Sequence, residues 1–166
     1  MDLFRNKRLF IERIEYMLPD GRTKEGVIAH PGDAVVVLPK CRDSCWHLIR
    51  QYRFAVGCYI LEAPAGKLEP GESPVETAKR ELIEETGYQA GELVEKGWIY
   101  TTPGFSDEKL HLFEARDLSP SDAFEKDEDE LIELVTVTGR ELDQMCLDGR
   151  ISDAKTISIV YRCLRG

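Results

Sequence analysis

The stretch Gly66–Tyr88 reads GKLEPGESPVETAKRELIEETGY, and most of it predicts one amphipathic helix. Ser73 is a preferred N-cap residue, and Glu76 three positions later completes a capping box. Pro74 suits the first helical position, and Gly87 suits the position just past the end. Apolar residues at helical spacing predict the buried face of this helix, namely Val75, Ala78 and Leu82.

Three glutamates of the predicted helix lie in one sector, because Glu81, Glu84 and Glu85 stand at positions i, i+3 and i+4. Each like-charged pair costs a few tenths of a kcal/mol, and a divalent cation would turn that repulsion into a binding site. The alternative is a solvated face, with Glu76, Arg80 and Glu84 forming a surface ladder. Helix spacing alone favours the solvated face.

The residues that flank the helix reverse that preference. They resemble the Nudix box: Gly, five residues, Glu, seven residues, Arg-Glu, an apolar residue, any residue, Glu-Glu, any residue, Gly and a bulky apolar residue. Tyr88 fills the last position, where an aliphatic residue is usual. The resemblance implies an α/β/α sandwich with a mixed sheet. All seven fixed positions match: Gly66, Glu72, Arg80, Glu81, Glu84, Glu85 and Gly87.

The resemblance also implies a metal site, with Mg²⁺ as the expected ion and Mn²⁺ as the alternative. Such an ion neutralises phosphate charge and lowers the pKa of a bound water that attacks phosphorus. Arg80 and Glu72 would orient the ligands, and Arg80 and Glu84 are expected to take part in catalysis. The implied ligands are Glu81, Glu85, Glu84 and the backbone carbonyl of Ala65.

Further segments resemble the ADP-ribose pyrophosphatase branch of the Nudix hydrolases. They are Gln51-Tyr52-Arg53, Leu61-Glu62-Ala63-Pro64-Ala65-Gly66, Pro103-Gly104-Phe105-Ser106-Asp107-Glu108 and Asp127-Glu128-Asp129-Glu130. The resemblance implies hydrolysis of ADP-ribose to AMP and ribose 5-phosphate. The alternatives are another nucleotide sugar or a dinucleotide, of the GDP-mannose or NADH type, and a ligand-binding module that has lost catalysis.

The branch resemblance implies roles for several residues outside the helix. Arg53 is expected to bind the diphosphate, since guanidinium matches phosphate geometry, and Glu108 to meet the terminal ribose. Glu128 is expected to be the catalytic base and Glu130 a metal ligand. For each of these charged side chains the alternative is a solvated surface residue. The full expected substrate-binding set is Arg53, Gln51, Glu62, Pro103, Gly104 and Glu108.

Composition limits the partners of this chain. The net charge of −9 argues against nucleic acid, which needs clustered Lys and Arg. No apolar run approaches the roughly 20 residues of a membrane span, and the basic N-terminus lacks the apolar core of a signal peptide. An odd number of cysteines without paired short spacings predicts free thiols and a cytoplasmic location. These are Cys41, Cys45, Cys58, Cys146 and Cys163.

The N-terminal thirty residues are expected to form a separate β segment. Phe10 to Met17 precedes the turn Pro19-Asp20-Gly21, and a second strand resumes from Val27, so a hairpin is predicted. We expect residues 1–30 to build a homodimer and residues 31–166 to form the hydrolase domain. The other predicted strands are Ala34–Leu38, Trp46–Phe54, Cys58–Glu62, Trp98–Thr102, Lys109–Ala115 and Leu131–Val137, with helices at 138–147 and 153–164.

Overall fold

A computed structural model describes residues 1–123 and 132–165, apart from the side chain of Asp43. The strands are β1 (Asp2–Arg5), β2 (Phe10–Met17), β3 (Thr23–His30), β4 (Ala34–Pro39), β5 (Cys45–Arg53), β6 (Cys58–Glu62), β7 (Ala65–Lys67), β8 (Tyr88–Tyr100), β9 (Lys109–Pro120) and β10 (Ile132–Thr138). The helices are α1 (Pro74–Thr86), α2 (Gly139–Leu147) and α3 (Ala154–Arg165).

The central sheet has the strand order β7-β4-β9-β8. Strands β4 and β9 run parallel, and the other two pairs are antiparallel, so the sheet is mixed as predicted. All six residues of β4 are buried, which confirms the predicted strand at Ala34–Leu38. A strand buried on both faces reads as a continuous apolar run, as this one does.

Helices cover both faces of the central sheet. On one face, Val35 and Val37 pack with Leu82 of α1. On the other face, Val36 and Leu38 pack in a second cluster that includes residues of α2, α3 and β5. Burying each such side chain contributes roughly 1.5–3 kcal/mol. The result is the three-layer α/β/α arrangement that the sequence predicted.

The ends of α1 form as predicted. Glu76 N–H donates to Ser73 Oγ (3.3 Å), and Ser73 N–H donates back to Glu76 Oε2 (2.8 Å), which completes the capping box. At the other end, Gly87 adopts φ 76°, a left-handed conformation that a residue without a side chain adopts freely. Local sequence therefore fixes where this helix starts and stops.

The buried face of α1 differs from the prediction at one position. Ala78 and Leu82 are buried as expected, whereas Val75 is 42% exposed. Thr77 is buried in the first turn, because its hydroxyl donates to Glu72 Oε2 (2.8 Å) in the preceding loop. This bond ties the first turn of the helix to the loop that enters it.

Strand β8 is longer than predicted, since it begins at Tyr88 and not near Trp98. Its pairing with β9 shifts register between Glu95 and Trp98, and Gly97 lies there at φ 84°. Such a bulge breaks the alternation of buried and exposed residues on which strand prediction depends. Trp98 is 47% exposed, whereas Trp46 is buried in the core.

A second sheet, of order β10-β5-β6, is antiparallel throughout. The sequence predicted all three strands, although Leu131 at the start of the last one lies outside the described residues. This sheet carries Gln51 and Arg53 on β5 and Glu62 at the end of β6. It therefore brings three of the predicted substrate-binding residues together.

The N-terminal segment forms a separate sheet of order β1-β2-β3. Strands β2 and β3 make a hairpin paired from Phe10↔His30 to Met17↔Thr23, and β1 is an additional strand that the sequence did not indicate. Lys67 Nζ joins this segment to the central sheet by donating to the carbonyls of Arg8 and Pro31, each at 2.7 Å.

His30 makes a second connection between the N-terminal sheet and the rest of the chain. Its Nδ1 lies 2.6 Å from Asp107 Oδ2, and its Nε2 lies 3.2 Å from Glu12 Oε1. The hydrogen bond with Asp107 raises the pKa of His30, with a smaller contribution from Glu12, against an opposing effect of burial. His30 therefore links the loop after β8 to the hairpin, and the link is stronger when His30 is protonated.

We expect His30→Asn to destabilise the protein at about pH 6 and to have a smaller effect at about pH 9. Because the pKa of His30 is raised in the folded state, its contribution is complete below the ordinary histidine pKa. It is lost as pH rises through the folded-state pKa. Urea unfolding of both proteins at the two pH values tests this, and an equal difference at both would contradict it.

Cys41 and Cys45 are joined by a disulfide, so the prediction that all five cysteines are free is wrong for this pair. The 3₁₀ turn Arg42–Ser44 between them brings their Cα atoms to 5.2 Å, within disulfide range. Cys58, Cys146 and Cys163 are free thiols. None of the helices that the structure describes is long and apolar enough to cross a membrane.

Candidate active site

Arg80 is the centre of an ion-pair network between α1 and the loop before it. Its Nε and Nη2 donate to the two carboxylate oxygens of Glu72 at 2.9 and 3.0 Å. Its Nη1 donates to Glu81 (2.7 Å) and to Glu84 (3.0 Å). Glu76 is engaged in the capping box instead. The arrangement is therefore a network directed at the loop and not a simple ladder along the helix.

Glu72 remains ionised throughout the neutral pH range. Its hydrogen bonds with Arg80, and then with the backbone N–H of Glu69, lower its pKa to about 2. Arg80 also donates to the backbone carbonyl of Lys67 at 3.1 Å. Arg80 and Glu72 thus hold the loop on the helix.

Gly66 and Glu81 share one small volume. A side-chain carbon built at residue 66 would overlap the carboxylate of Glu81. The Glu81 side chain is largely buried, held between Arg80 and the backbone of β7. The absence of a side chain at Gly66 therefore leaves the space that the Glu81 carboxylate occupies, and a larger residue there would displace the end of this side chain.

Glu85, one turn further along α1, also contacts the backbone of β7. Its Oε2 accepts a hydrogen bond from the backbone N–H of Ala65 at 2.9 Å. The carbonyl of Ala65, the carboxylate of Glu85 and the carboxylate of Glu81 are all oxygen donors, the type that Mg²⁺ and Mn²⁺ prefer. Among residues 1–123 and 132–165, no three acidic, His or Cys side chains close around a single point. The donor chemistry nevertheless suits a hard divalent cation.

A cleft of about 1200 Å³ opens over these groups. It lies between α1, β5, β7, the start of α3, the loop after β8 and the N-terminal segment 6–10. Seven of the predicted site residues line it: Gln51, Arg53, Ala65, Arg80, Glu81, Glu85 and Glu108. The predicted metal-binding face and the predicted substrate-binding strand therefore meet in one cavity.

Arg53 and Glu62 form a bidentate pair beside the cleft. Arg53 Nε and Nη2 donate to the two Glu62 oxygens at 2.6 and 2.7 Å, and Lys155 Nζ contacts the same carboxylate. Burial raises the pKa of Glu62, but the hydrogen bond from Arg53 and the charge of Lys155 more than offset it, so the pKa is lowered. Glu62 is fully buried and holds the Arg53 guanidinium through its Nε and Nη2. The Nη1 of Arg53 is not part of this pair.

Gln51 presents an unusual polar atom to the cleft. Its side chain is buried, and its Oε1 has no hydrogen-bond partner among the residues that the structure describes. More than 90% of buried polar groups in proteins are paired, by protein or by ordered water, so this acceptor at the cavity wall is a candidate contact for a ligand or a bound water.

The remaining predicted residues are more scattered. Glu108 lines the cleft and accepts a hydrogen bond from Thr101 Oγ1 at 2.7 Å. Pro103 and Gly104 lie in the exposed turn before it and are not part of the cleft wall, and Glu84 points partly to solvent. Glu128 and Glu130 lie outside the described residues.

Two charged residues at the start of α3 are among the cleft residues that the sequence did not predict. Lys155 and Asp153 at the start of α3 line the cavity and form an ion pair at 3.0 Å. Asp153 Oδ2 also accepts from the backbone N–H of Thr156 at 3.0 Å, which marks it as a helix-capping residue. The sequence predicted a helix from residue 153, but the position of this end beside Glu62 depends on tertiary packing.

Fold and site together define a Nudix-type protein, and comparison with known proteins agrees. The chain belongs to the NUDIX domain family, whose model matches residues 30–158. It is 42% identical over 150 residues to the ADP-ribose pyrophosphatase of Bacillus subtilis (strain 168), covering 89% of this chain and 80% of the relative. It is 41% identical over 155 residues to the methanol dehydrogenase activator of Bacillus methanolicus, covering 92% and 82%.

A solved structure supports the same assignment. The crystal structure of an ADP compounds hydrolase superposes with a TM-score of 0.87 at 26% identity, covering 99% of this chain and 89% of that one. The predicted family and the predicted α/β/α fold with a mixed sheet are confirmed.

Proposed function

We propose that this chain hydrolyses the diphosphate of a nucleoside diphosphate sugar, with ADP-ribose as substrate. Water adds to one phosphorus and the bridging P–O bond breaks, giving AMP and ribose 5-phosphate. One observation carries the proposal: Glu81, Glu85 and Ala65 line the same cleft as Arg53 and Gln51. The oxygen ligands for a metal ion and the positively charged Arg53, which suits a diphosphate, thus lie in a single cavity. Relatives named for ADP-ribose and ADP-compound hydrolysis support the substrate class.

The proposed cofactor is Mg²⁺, with Mn²⁺ as the alternative, held by Glu81, Glu85 and the Ala65 carbonyl, with Glu84 nearby. When bound, the ion neutralises phosphate charge and lowers the pKa of a water. Arg80 keeps the carboxylates of Glu81 and Glu84 aligned through direct hydrogen bonds.

The substrate is proposed to lie along the cleft between α1 and β5. Arg53 donates to the diphosphate through the part of its guanidinium not used by Glu62. Gln51 Oε1 accepts from a sugar hydroxyl, which satisfies its buried acceptor. Glu108 accepts from the terminal ribose, while Pro103 and Gly104 set the turn that leads to it. The sugar in question is the one beyond the diphosphate. A nucleoside triphosphate lacks that sugar, so it would leave the Gln51 acceptor unpaired.

Hydrolysis of ADP-ribose, GDP-mannose and NADH at equal concentration, with Mg²⁺ and with EDTA, tests this function. We expect ADP-ribose to have the largest kcat/KM, products AMP and ribose 5-phosphate, and no turnover in EDTA. Preference for GDP-mannose or NADH would reassign the substrate within the same chemistry. A chain that binds ADP-ribose without cleaving it in Mg²⁺ would be a ligand-binding module.

The general base is proposed to be Glu128, with Glu130 as a further metal ligand. Helix carboxylates that bind a cation have depressed pKa values and are poor proton acceptors, so a carboxylate from another segment suits the task better. Glu128→Gln is expected to lower kcat without changing the Mg²⁺ concentration required, whereas Glu130→Gln is expected to raise that concentration. Near wild-type kcat in both variants would reject the assignment and leave Glu108 as the next candidate.

The protein is proposed to be a cytoplasmic homodimer that acts on small molecules and not on nucleic acid or membranes. The proposed interface is the N-terminal sheet, residues 1–30, which exposes large apolar side chains. These include Leu3, Phe4, Met17 and Val27.

We expect sedimentation of the intact chain to give a dimer and Phe4→Glu to shift it toward monomer. Obligate interfaces usually bury more than about 2,000 Å² of apolar-rich surface, which one charged residue in the contact disrupts. Leu147→Glu, the same kind of change at an exposed apolar residue of α2 outside the N-terminal sheet, is the matched control. A monomeric wild type would contradict the proposal.

A further inference from the structure

Two lysine–glutamate–arginine clusters of the same construction lie within residues 1–123 and 132–165. In the first, Glu62 accepts from Arg53 and contacts Lys155. In the second, Glu114 accepts from Arg116 Nε (2.8 Å) and Nη2 (3.0 Å) and pairs with Lys96 (2.9 Å). The carboxylates are 1% and 3% exposed, and the lysines are 19% and 18% exposed. Only the first cluster lines the cleft.

Lys155 is held firmly in its place beside the cleft. It is the second residue of α3, and Asp153 just before the helix pairs with it at 3.0 Å. The next residue, Thr156, is fully buried, and its Oγ1 accepts from the backbone N–H of Ala63 at 2.8 Å. Ala63 directly follows Glu62, so these bonds fasten the start of α3 to the end of β6.

Lys155 supplies positive charge to Glu62 in addition to that of Arg53. A buried carboxylate is costly unless it is paired, and Glu62 depends on Arg53 for that pairing. An anionic substrate would compete with Glu62 for the same guanidinium. Lys155 contacts the Glu62 oxygen to which Arg53 Nη2 donates. It keeps Glu62 compensated while Arg53 shares its charge with a ligand.

We infer that Lys155 is a positioning residue for the diphosphate: it holds Glu62, and through Glu62 it fixes the Arg53 guanidinium at the cleft wall. The inference rests on the proposed function, since it takes a nucleoside diphosphate as the ligand. Lys155 does not contact the substrate in this scheme. Its loss therefore weakens substrate binding only while Arg53 is present.

The experiment compares Lys155→Met, Lys155→Arg and Lys96→Met in the full-length protein with ADP-ribose and saturating Mg²⁺. Lys155→Met is expected to raise KM about tenfold, the effect of weakening one charge-assisted contact, with a smaller change in kcat. Lys155→Arg is expected to recover most of the affinity. Lys96→Met removes the equivalent partner of Glu114 and is expected to lower stability in urea to a similar degree without raising KM.

A double-mutant cycle separates positioning from direct contact. In an Arg53→Met background, the further change Lys155→Met is expected to leave KM within about twofold, since its effect passes through Arg53. An equal rise in KM with and without Arg53 would overturn the inference. So would a KM for Lys155→Met no higher than that of Lys96→Met.

The wild-type assay distinguishes failure of the function from failure of the inference. An inactive wild type rejects the proposed hydrolysis, and the same variants are then compared by calorimetric binding of ADP-ribose, where Lys155→Met must weaken binding and Lys96→Met must not. Absence of wild-type binding rejects both proposals.

Discussion

Glu85→Gln is expected to lower kcat by about 100-fold or more at saturating Mg²⁺, the size that loss of one strong electrostatic group produces. The amide keeps the shape of the side chain, and its oxygen can still accept from the backbone N–H of Ala65. What is lost is the negative charge that Glu85 places beside Ala65 in the cleft. Steady-state kinetics with ADP-ribose over a range of Mg²⁺ concentrations measures the effect.

Glu76→Gln is the matched control for this substitution. Glu76 is on the same helix but caps its N-terminus, where glutamine serves equally in a capping box. We expect kcat of this variant within about twofold of wild type. A loss below about tenfold for Glu85→Gln would remove Glu85 from the set of ligands.

Gly66→Ala is expected to reduce kcat by a similar factor, about 100-fold, although it adds only one methyl group. The methyl group would occupy the volume of the Glu81 carboxylate, so Glu81 or strand β7 must move. Stability is expected to fall by about 1 kcal/mol or less, the low end of overpacking costs, because the displaced atoms are the end of the flexible Glu81 side chain. Kinetics with Mg²⁺ and urea unfolding measure the two effects separately.

The substitution Glu81→Ala tests whether Gly66→Ala acts by displacing the Glu81 carboxylate. In a Glu81→Ala background the carboxylate is gone, and Gly66→Ala is expected to cost little further activity or stability. Effects that act through one shared group are not additive. Additive losses would mean that Gly66 is needed for another reason, such as the course of the β7 backbone.

The parts of the fold that local chemistry determines were predictable from the sequence. Both ends of α1 follow from a capping box and one glycine, which need only neighbouring residues. The buried strand β4 follows from an unbroken apolar run. The box residues from Gly66 to Glu85 converge in the structure because their spacing already sets them on one loop and one helix face.

Features that depend on distant contacts were not predictable. The bulge near Gly97 conceals the first half of β8, because it breaks the alternation by which a strand is recognised. Thr77 is buried and Val75 is not, and the hydroxyl of Thr77 donates a hydrogen bond to Glu72 in the loop before the helix. Lys155 reaches the cleft through a bond between Thr156 and Ala63, which lie 93 residues apart. The Cys41–Cys45 pairing depends on the exact curvature of a three-residue turn.

The space shared by Gly66 and Glu81 has a consequence for how such chains diverge. The constraint runs one way, since a side chain at position 66 takes the space of the Glu81 carboxylate, whereas Glu81 can be shortened while Gly66 stays. A lineage that retains Glu81 in its present place is held to glycine at position 66, and a lineage that replaces Glu81 with a small residue is released from that constraint. Position 66 is therefore expected to change after position 81, and a chain that has lost both has passed a point from which a single substitution does not restore the site.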